Sequence, residues 1–157
     1  MLREALLSCR CPKRSKALSD LIPTHQGVVY PWQCDHLGHM NVMWYVGKFD
    51  EATWQLFAVL GMTPSFLREQ QRGMAAVQQE ISYLRKLHAG DLITIASRVL
   101  EIREKVLRFA HEMHNSEIGE LAATTTLTGV HLDTRLRKSC PFPPAVLERA
   151  NSSRRTP

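Results

Sequence analysis

The chain has 157 residues, of which 44% are hydrophobic and 22% charged, a composition typical of one globular domain and unlike that of a disordered chain. The sequence has no stretch of 18 apolar residues, so no membrane-spanning helix is predicted. The net charge of +5 comes from the two ends, because residues 28–133 carry 9 basic and 12 acidic side chains. A slightly acidic centre argues against a nucleic-acid-binding face.

The ends of the chain differ in composition from its centre. Residues 1–26 are predicted to be a basic, poorly ordered extension, residues 27–150 a single domain, and residues 151–157 a frayed polar tail. The Cys9-Arg10-Cys11 segment has no second cysteine pair to complete a zinc site. Because no signal peptide is recognisable, we expect a cytoplasmic protein with free thiols.

The first half of the domain is predicted to contain one short strand and one long helix. The strand covers residues 27–31, and a loop with Gly38 as its breaker follows over residues 32–40. Asn41 is the predicted N-cap, and Gly61 with Pro64 ends the helix. A second short helix is expected from Thr63 or Ser65 to Gln71. Residues at steps of three and four form the predicted apolar face of the long helix: Val42, Val46, Phe49, Thr53, Phe57 and Leu60.

The second half alternates between apolar and polar residues, as strands do. Strands are predicted over residues 77–85, 93–99, 106–114 and 121–132, with a turn at residues 89–91 and a hairpin connection at residues 115–119. Short links favour antiparallel neighbours. The predicted fold class is therefore α+β, with one long helix packed on a bent antiparallel sheet of about five strands.

The densest polar cluster, residues 34–41, leads directly into the N-terminus of the long helix. The first N–H groups of a helix have no partners within it and carry partial positive charge, so they polarise a carbonyl bound there. A carboxylate a few residues earlier supplies a nucleophile or a base. This layout favours attack on an acyl carbonyl.

Two motifs in the sequence resemble those of a known family. The segment Asp35-His36-Leu37-Gly38-His39-Met40-Asn41, followed by Tyr45, resembles the D-x-x-G-H-x-N-…-Y signature of hot-dog-fold acyl-CoA thioesterases of the 4-hydroxybenzoyl-CoA thioesterase-like group. A strand that ends in Gly90-Asp91 before the next strand is similar to the family's second hallmark. The resemblance covers residues 27–142, and it implies hydrolysis of an acyl-CoA to a free acid and CoA without a cofactor or metal.

The resemblance also implies roles for individual residues. Asp35 matches the catalytic carboxylate, as nucleophile or general base, and Val42 matches the helix-start residue whose N–H polarises the carbonyl. Gly38 permits a close approach, and His39 orders the motif or lines the pocket. Four further residues complete the predicted site: Asn41 among the catalytic residues, Tyr45 as a substrate contact, and Arg103 with Lys105 toward the CoA phosphates, although Glu104 stands where the family cluster has a third cation.

Each assignment has an alternative. Asp35 and Asn41 are also common turn and cap residues, and Tyr45 also suits packing. His36 and His39 would form a metal site only with a further ligand, such as His25, His111 or His114. A hot-dog hydratase or dehydratase and a non-catalytic acyl-CoA-binding protein are the alternative functions. The expected partners are an acyl-CoA and further copies of the chain, as a homodimer or homotetramer, without nucleic acid or membrane.

Overall fold

The computed structural model describes residues 21–154. It contains six strands, three α-helices and one short 3-10 turn at Pro31–Gln33. In chain order these elements are β1 (Ile22–Val28), α1 (Val42–Val59), α2 (Pro64–Glu69), β2 (Arg72–Tyr83), β3 (Leu92–Ile102), β4 (Val106–Asn115), β5 (Leu121–Asp133), β6 (Lys138–Ser139) and α3 (Pro144–Ser153). None of the helices within residues 21–154 is long and apolar enough to span a membrane.

All strand pairings in the sheet are antiparallel, in the order β1-β3-β4-β5-β2, with the short β6 beside the end of β5. The register shifts once in each of the four long pairings, and such irregularities bend a strand and increase its twist. The sheet curls around α1 as a result. The predicted α+β class, one long helix on a bent antiparallel sheet of about five long strands, is confirmed.

The long helix begins where the sequence predicts it. The side chain of Asn41 accepts a hydrogen bond from the Met43 N–H and caps the first turn. Phe49 and Leu56 are fully buried against the sheet. The predicted apolar face is only partly right, however, because Val42 is 54% exposed and Val46 is 40% exposed. The buried face is rotated toward Tyr45, Lys48 and Ala52, away from the two valines.

The faces of the central strands match their predicted alternation. Ile93, Ile95, Ser97 and Val99 on β3 are all buried, as are Leu107, Phe109, His111 and Met113 on β4.

Several element boundaries differ from the predictions. The first strand begins at Ile22, so residues 22–26 belong to the sheet instead of the extension, and β2 begins at Arg72, five residues before residue 77. The helix α3 and the strand β6 are not predicted, and residues 151–153 belong to α3. The rest of the predicted extension, residues 1–20, lies outside the described residues.

The link between β2 and β3, residues 84–91, positions the candidate site. A short link predicts that β2 and β3 are neighbours, but β2 pairs with β5 at one edge while β3 lies between β1 and β4. The link therefore crosses the end of the sheet. Its Leu87 is buried in the half of the core formed by Phe49 and Ile93, and its carbonyl accepts the Met40 N–H at 2.7 Å. This bond fixes the polar loop to the sheet.

Candidate active site

The polar loop over residues 31–41 is closed by its own backbone. The Asp35 N–H donates to the His39 carbonyl at 3.1 Å, and the Asn41 N–H donates to the Gln33 carbonyl at 2.9 Å. The turn enclosed by the Asp35–His39 pairing requires Gly38, whose φ of 79° lies in the left-handed region that side chains disfavour. The loop therefore delivers Asp35 and Asn41 to the start of α1 in a fixed geometry.

The Asp35 carboxylate is held by two donors. Its Oδ1 accepts the Leu37 N–H at 2.9 Å, and its Oδ2 accepts a hydrogen bond from the Asn41 Nδ2 at 3.1 Å. The Leu37 hydrogen bond is the main cause that lowers the pKa of Asp35, and the Asn41 amide and the nearby His39 and His36 rings lower it further. The group is therefore an ionised carboxylate at neutral pH, the form that a nucleophile or general base requires. The hydrogen bond from Leu37 is also the contact expected if Asp35 serves only as a turn residue.

The start of α1 offers one backbone donor beside this carboxylate. Asn41 satisfies the next two N–H groups, since its Oδ1 accepts from Met43 at 3.1 Å and its carbonyl accepts from Trp44 at 3.0 Å. Within residues 21–154, no acceptor is paired with the N–H of Val42. Because Asn41 also bonds Asp35, a single side chain links the carboxylate to the helix start that carries this donor.

Tyr45 lies one turn into the helix and forms part of the wall behind the loop. Its side chain is 4% exposed, its hydroxyl donates to the Arg85 carbonyl at 3.2 Å, and its ring meets Tyr83 edge-on at 5.2 Å. Burial raises the pKa of Tyr45 to about 12, so the hydroxyl stays protonated. Beside it, Leu84, Arg85, Glu120 and Leu121 line a shallow groove of about 330 Å³. The prediction of Tyr45 as a substrate contact stays a prediction.

The two cations predicted to face the CoA phosphates lie elsewhere in the chain. Arg103 and Lys105 are in the turn between β3 and β4, whereas the Asp35 loop packs at the opposite end of β3. The 11 residues of β3 span roughly 35 Å if extended. Arg103 is also paired with Glu101 at 2.6 Å. One copy of the chain therefore does not bring these cations to Asp35.

Two of the histidines considered as metal ligands, His111 and His25, have separate partners in the structure. His111 is fully buried and bonds Ser97 through Nδ1 at 2.5 Å and Thr53 through Nε2 at 3.0 Å. His25 faces Glu51 at 3.3 Å on the β1 side of α1. In the part of the chain that the structure describes, no group of three or more His, Cys, Asp or Glu side chains is arranged to hold a metal ion.

Sequence reasoning missed two features around the loop. The link over residues 84–91 supplies the Leu87 and Arg85 carbonyls that hold the loop and Tyr45. The only signal for this role is Leu87 itself, a single apolar residue between Lys86 and His88. The second feature is a parallel stack of Tyr30 and Trp32, with ring centroids 4.4 Å apart, just before Asp35. Its signal is the density of Trp and Tyr in this segment.

Comparison with known proteins places the chain among its relatives. A family model described as the thioesterase-like superfamily matches residues 29–150. The chain is 28% identical over 123 residues to an L-carnitine dehydrogenase/betainyl-CoA thioesterase of Agrobacterium fabrum, a match that covers 78% of this chain and 25% of the relative. It is 22% identical to a betainyl-CoA thioesterase of Pseudomonas aeruginosa, with 86% and 85% of the two chains covered.

A solved structure agrees with the fold. A Staphylococcus aureus protein in complex with CoA superposes with a TM-score of 0.80 at 20% identity, over 87% of each chain. The hot-dog fold predicted from the resemblance is confirmed. The chain spans about a quarter of the length of the first curated relatives it matches.

Proposed function

Because the chain belongs to the thioesterase-like superfamily, we propose that it hydrolyses an acyl-CoA thioester to a free acid and CoA. The observation that carries this proposal is the pair formed by the Asp35 carboxylate and the unpaired Val42 N–H, joined through Asn41. An acyl transfer needs both an attacking group and a donor for the developing oxyanion. This loop offers both.

In the proposed reaction the thioester carbonyl oxygen accepts the Val42 N–H, and the positive end of α1 stabilises the oxyanion as it forms. As a general base, Asp35 takes a proton from water while the water oxygen attacks the carbonyl carbon. The tetrahedral intermediate then collapses, the C–S bond breaks, and the CoA thiolate leaves and is protonated. As a nucleophile, an Asp35 carboxylate oxygen attacks the carbonyl carbon, the C–S bond breaks and the CoA thiolate leaves and is protonated, and water then hydrolyses the mixed anhydride to the free acid and the Asp35 carboxylate. Gly38 and Asn41 hold this geometry, and the nearby His39 ring helps to lower the pKa of the Asp35 carboxyl.

The proposed assembly is a homodimer or homotetramer. Strand β2 is an edge strand with exposed Val77 and Tyr83, and natural proteins rarely leave a long edge uncovered. If Arg103 and Lys105 contact CoA phosphates, a second copy must supply them, since in one copy they lie at the far end of the sheet. The proposed location is the cytoplasm, on the free-thiol argument from the sequence; within residues 21–154, Cys34 and Cys140 form no disulfide.

Betainyl-CoA is the first acyl-CoA to test, because two of the relatives compared above carry that activity in their names. The test is thiol release by the purified full chain from short, branched, aromatic, charged and long-chain acyl-CoAs, with enoyl-CoA hydration followed in parallel. Thiol release from at least one ester supports the proposal. Hydration without thiol release identifies the hydratase alternative. CoA-ester binding without either reaction identifies a non-catalytic protein.

A further inference from the structure

A stacked aromatic pair stands on the surface immediately before the catalytic loop. The rings of Tyr30 and Trp32 are nearly parallel, 5° apart, and Trp32 is 68% exposed, the most exposed aromatic side chain in residues 21–154. Tyr30 covers one face of the indole, and the exposure of Trp32 leaves its other face open to a ligand. We name this pair the aromatic plate.

The aromatic plate is held rigidly by its own turn. The Gln33 Oε1 accepts the Tyr30 N–H at 2.9 Å, and the Cys34 N–H donates to the Pro31 carbonyl at 3.2 Å, closing the 3-10 turn between the two rings. Gln33 is itself buried, and its carbonyl accepts the Asn41 N–H. Asn41, which positions Asp35, is therefore hydrogen-bonded directly to the turn that carries the plate.

Distance along the chain decides which part of an acyl-CoA the plate meets. Trp32 and Asp35 are three residues apart, so their Cα atoms lie at most about 11 Å from each other. The nucleotide end of CoA is separated from the thioester by the whole pantetheine arm. The acyl head, in contrast, begins at the carbonyl that Asp35 attacks. A ligand group over Trp32 is therefore close to the thioester, as the head of a short acyl chain is and the nucleotide of CoA is not.

The composition of this segment favours a positively charged head. Residues 29–47 contain four of the six Trp and Tyr residues of the chain, and Asp35 is their only formal charge when His is counted as neutral. The neighbouring cations face other groups: the Lys48 ammonium donates to the Val28 carbonyl at 3.4 Å, and Arg85 faces Glu120 at 3.8 Å. Aromatic faces attract quaternary ammonium groups, whereas an anionic head finds no lysine or arginine within the segment.

We infer that the Tyr30–Trp32 plate is the acyl-head subsite and selects short acyl-CoAs that end in a quaternary ammonium group. The inference rests on the proposed function, since it places the scissile carbonyl at Asp35. The cation lies over the open face of Trp32, and the Asp35 carboxylate contributes further attraction to the same charge.

The test compares two esters of the same shape. Betainyl-CoA carries the cation, and 3,3-dimethylbutanoyl-CoA replaces its nitrogen with carbon. The ammonium group also activates the carbonyl in any protein, so the change in the ratio of their kcat/KM values between wild type and a variant measures recognition of the charge. We expect wild type to prefer betainyl-CoA and Trp32→Leu, which keeps apolar area and removes the π face, to lower that ratio about 3- to 30-fold. Trp32→Phe is expected to fall between the two. The matched control is Trp54→Leu, the same substitution at an exposed tryptophan in the C-terminal half of α1, which should leave the ratio unchanged.

Two outcomes overturn the inference while the proposed function stands: equal kcat/KM for the two esters in wild type, or an unchanged ratio in Trp32→Leu. If no acyl-CoA is hydrolysed, the proposed function fails and ligand binding decides the inference separately. Saturation-transfer NMR with trimethylglycine and with 3,3-dimethylbutanoate then measures the subsite directly. Preference for the cation in wild type and its loss in Trp32→Leu support the plate, and equal binding of both compounds overturns it.

Discussion

Asn41 performs two separable tasks, and three substitutions distinguish them. Its Oδ1 caps α1 by accepting the Met43 N–H, and its Nδ2 donates to Asp35. Asn41→Ala removes both contacts. Asn41→Ser and Asn41→Asp keep an oxygen for the cap and lose the amide donor, so both separate helix stability from the positioning of the carboxylate.

The cap sets the expected change in stability. Loss of an N-cap costs about 1 kcal/mol, which lowers Tm by about 2–4 °C in a chain of this size. Asn41→Ala should show that decrease, and Asn41→Ser should stay close to wild type. Thermal unfolding followed by circular dichroism measures both. An equal decrease in Asn41→Ser would refute the assignment of the stability to the cap.

The positioning of Asp35 sets the expected change in activity. We expect all three variants to lose about 10- to 100-fold in kcat/KM on the best acyl-CoA, because a small displacement of a reacting group is costly.

A pH profile of kcat/KM separates positioning of Asp35 from a general loss of structure. Asn41 helps to lower the pKa of Asp35, so loss of its donor raises that pKa and moves the acid limb of kcat/KM to higher pH. The added carboxylate in Asn41→Asp moves it furthest. Full activity with an unmoved acid limb in Asn41→Ser would refute a positioning role.

Three further predictions concern the metal, the assembly and the core. Activity should survive dialysis against a strong chelator; loss that zinc or manganese restores would assign His36 and His39 as ligands instead. Sedimentation should show an oligomer, and an active monomer of about 18 kDa would contradict the argument from the exposed β2 edge. Burial lowers the pKa of His111 from 6.5 to about 4. Between these two pH values the unfolded chain binds a proton on His111 that the folded chain does not. The free energy of unfolding therefore falls as the pH falls from 6.5 to 4. That loss is at most about 3 kcal/mol. In His111→Gln the free energy of unfolding should depend less steeply on pH between 4 and 6.5. An identical pH dependence in the variant would show that other groups cause it.

The sequence was sufficient to predict the features that depend on local contacts. Asn41 caps α1 because its side chain reaches an N–H two residues away, and the alternation on β3 and β4 follows from each strand having one buried face. Gly38 has the positive φ that suits a glycine at a loop breaker. These outcomes need no knowledge of distant parts of the chain.

The features that were missed depend on contacts far apart in sequence. The exposure of Val42 and Val46 is decided by which side of α1 faces the sheet, and periodicity alone does not fix that rotation to within one residue. The pairing of β2 with β5 joins residues about 50 positions apart, while the short link to β3 favoured the wrong neighbour. The position of Arg103 likewise depends on the direction of β3, which places it at the far end of the sheet from Asp35 in one copy, and its contact with CoA stays a prediction.

The measurement that tests the central claim most directly is the rate of CoA thiol release by Asp35→Asn on the best acyl-CoA. The matched control is Asp133→Asn, because Asp133, like Asp35, accepts the backbone N–H two residues further along in a turn and has a side-chain donor on its other oxygen, but lies at the opposite end of the sheet. We predict a loss of about 10²–10⁴-fold for Asp35→Asn, with the control close to wild type and both variants folded. Retention of more than about half of the wild-type rate by Asp35→Asn would contradict the assignment of this carboxylate as nucleophile or base.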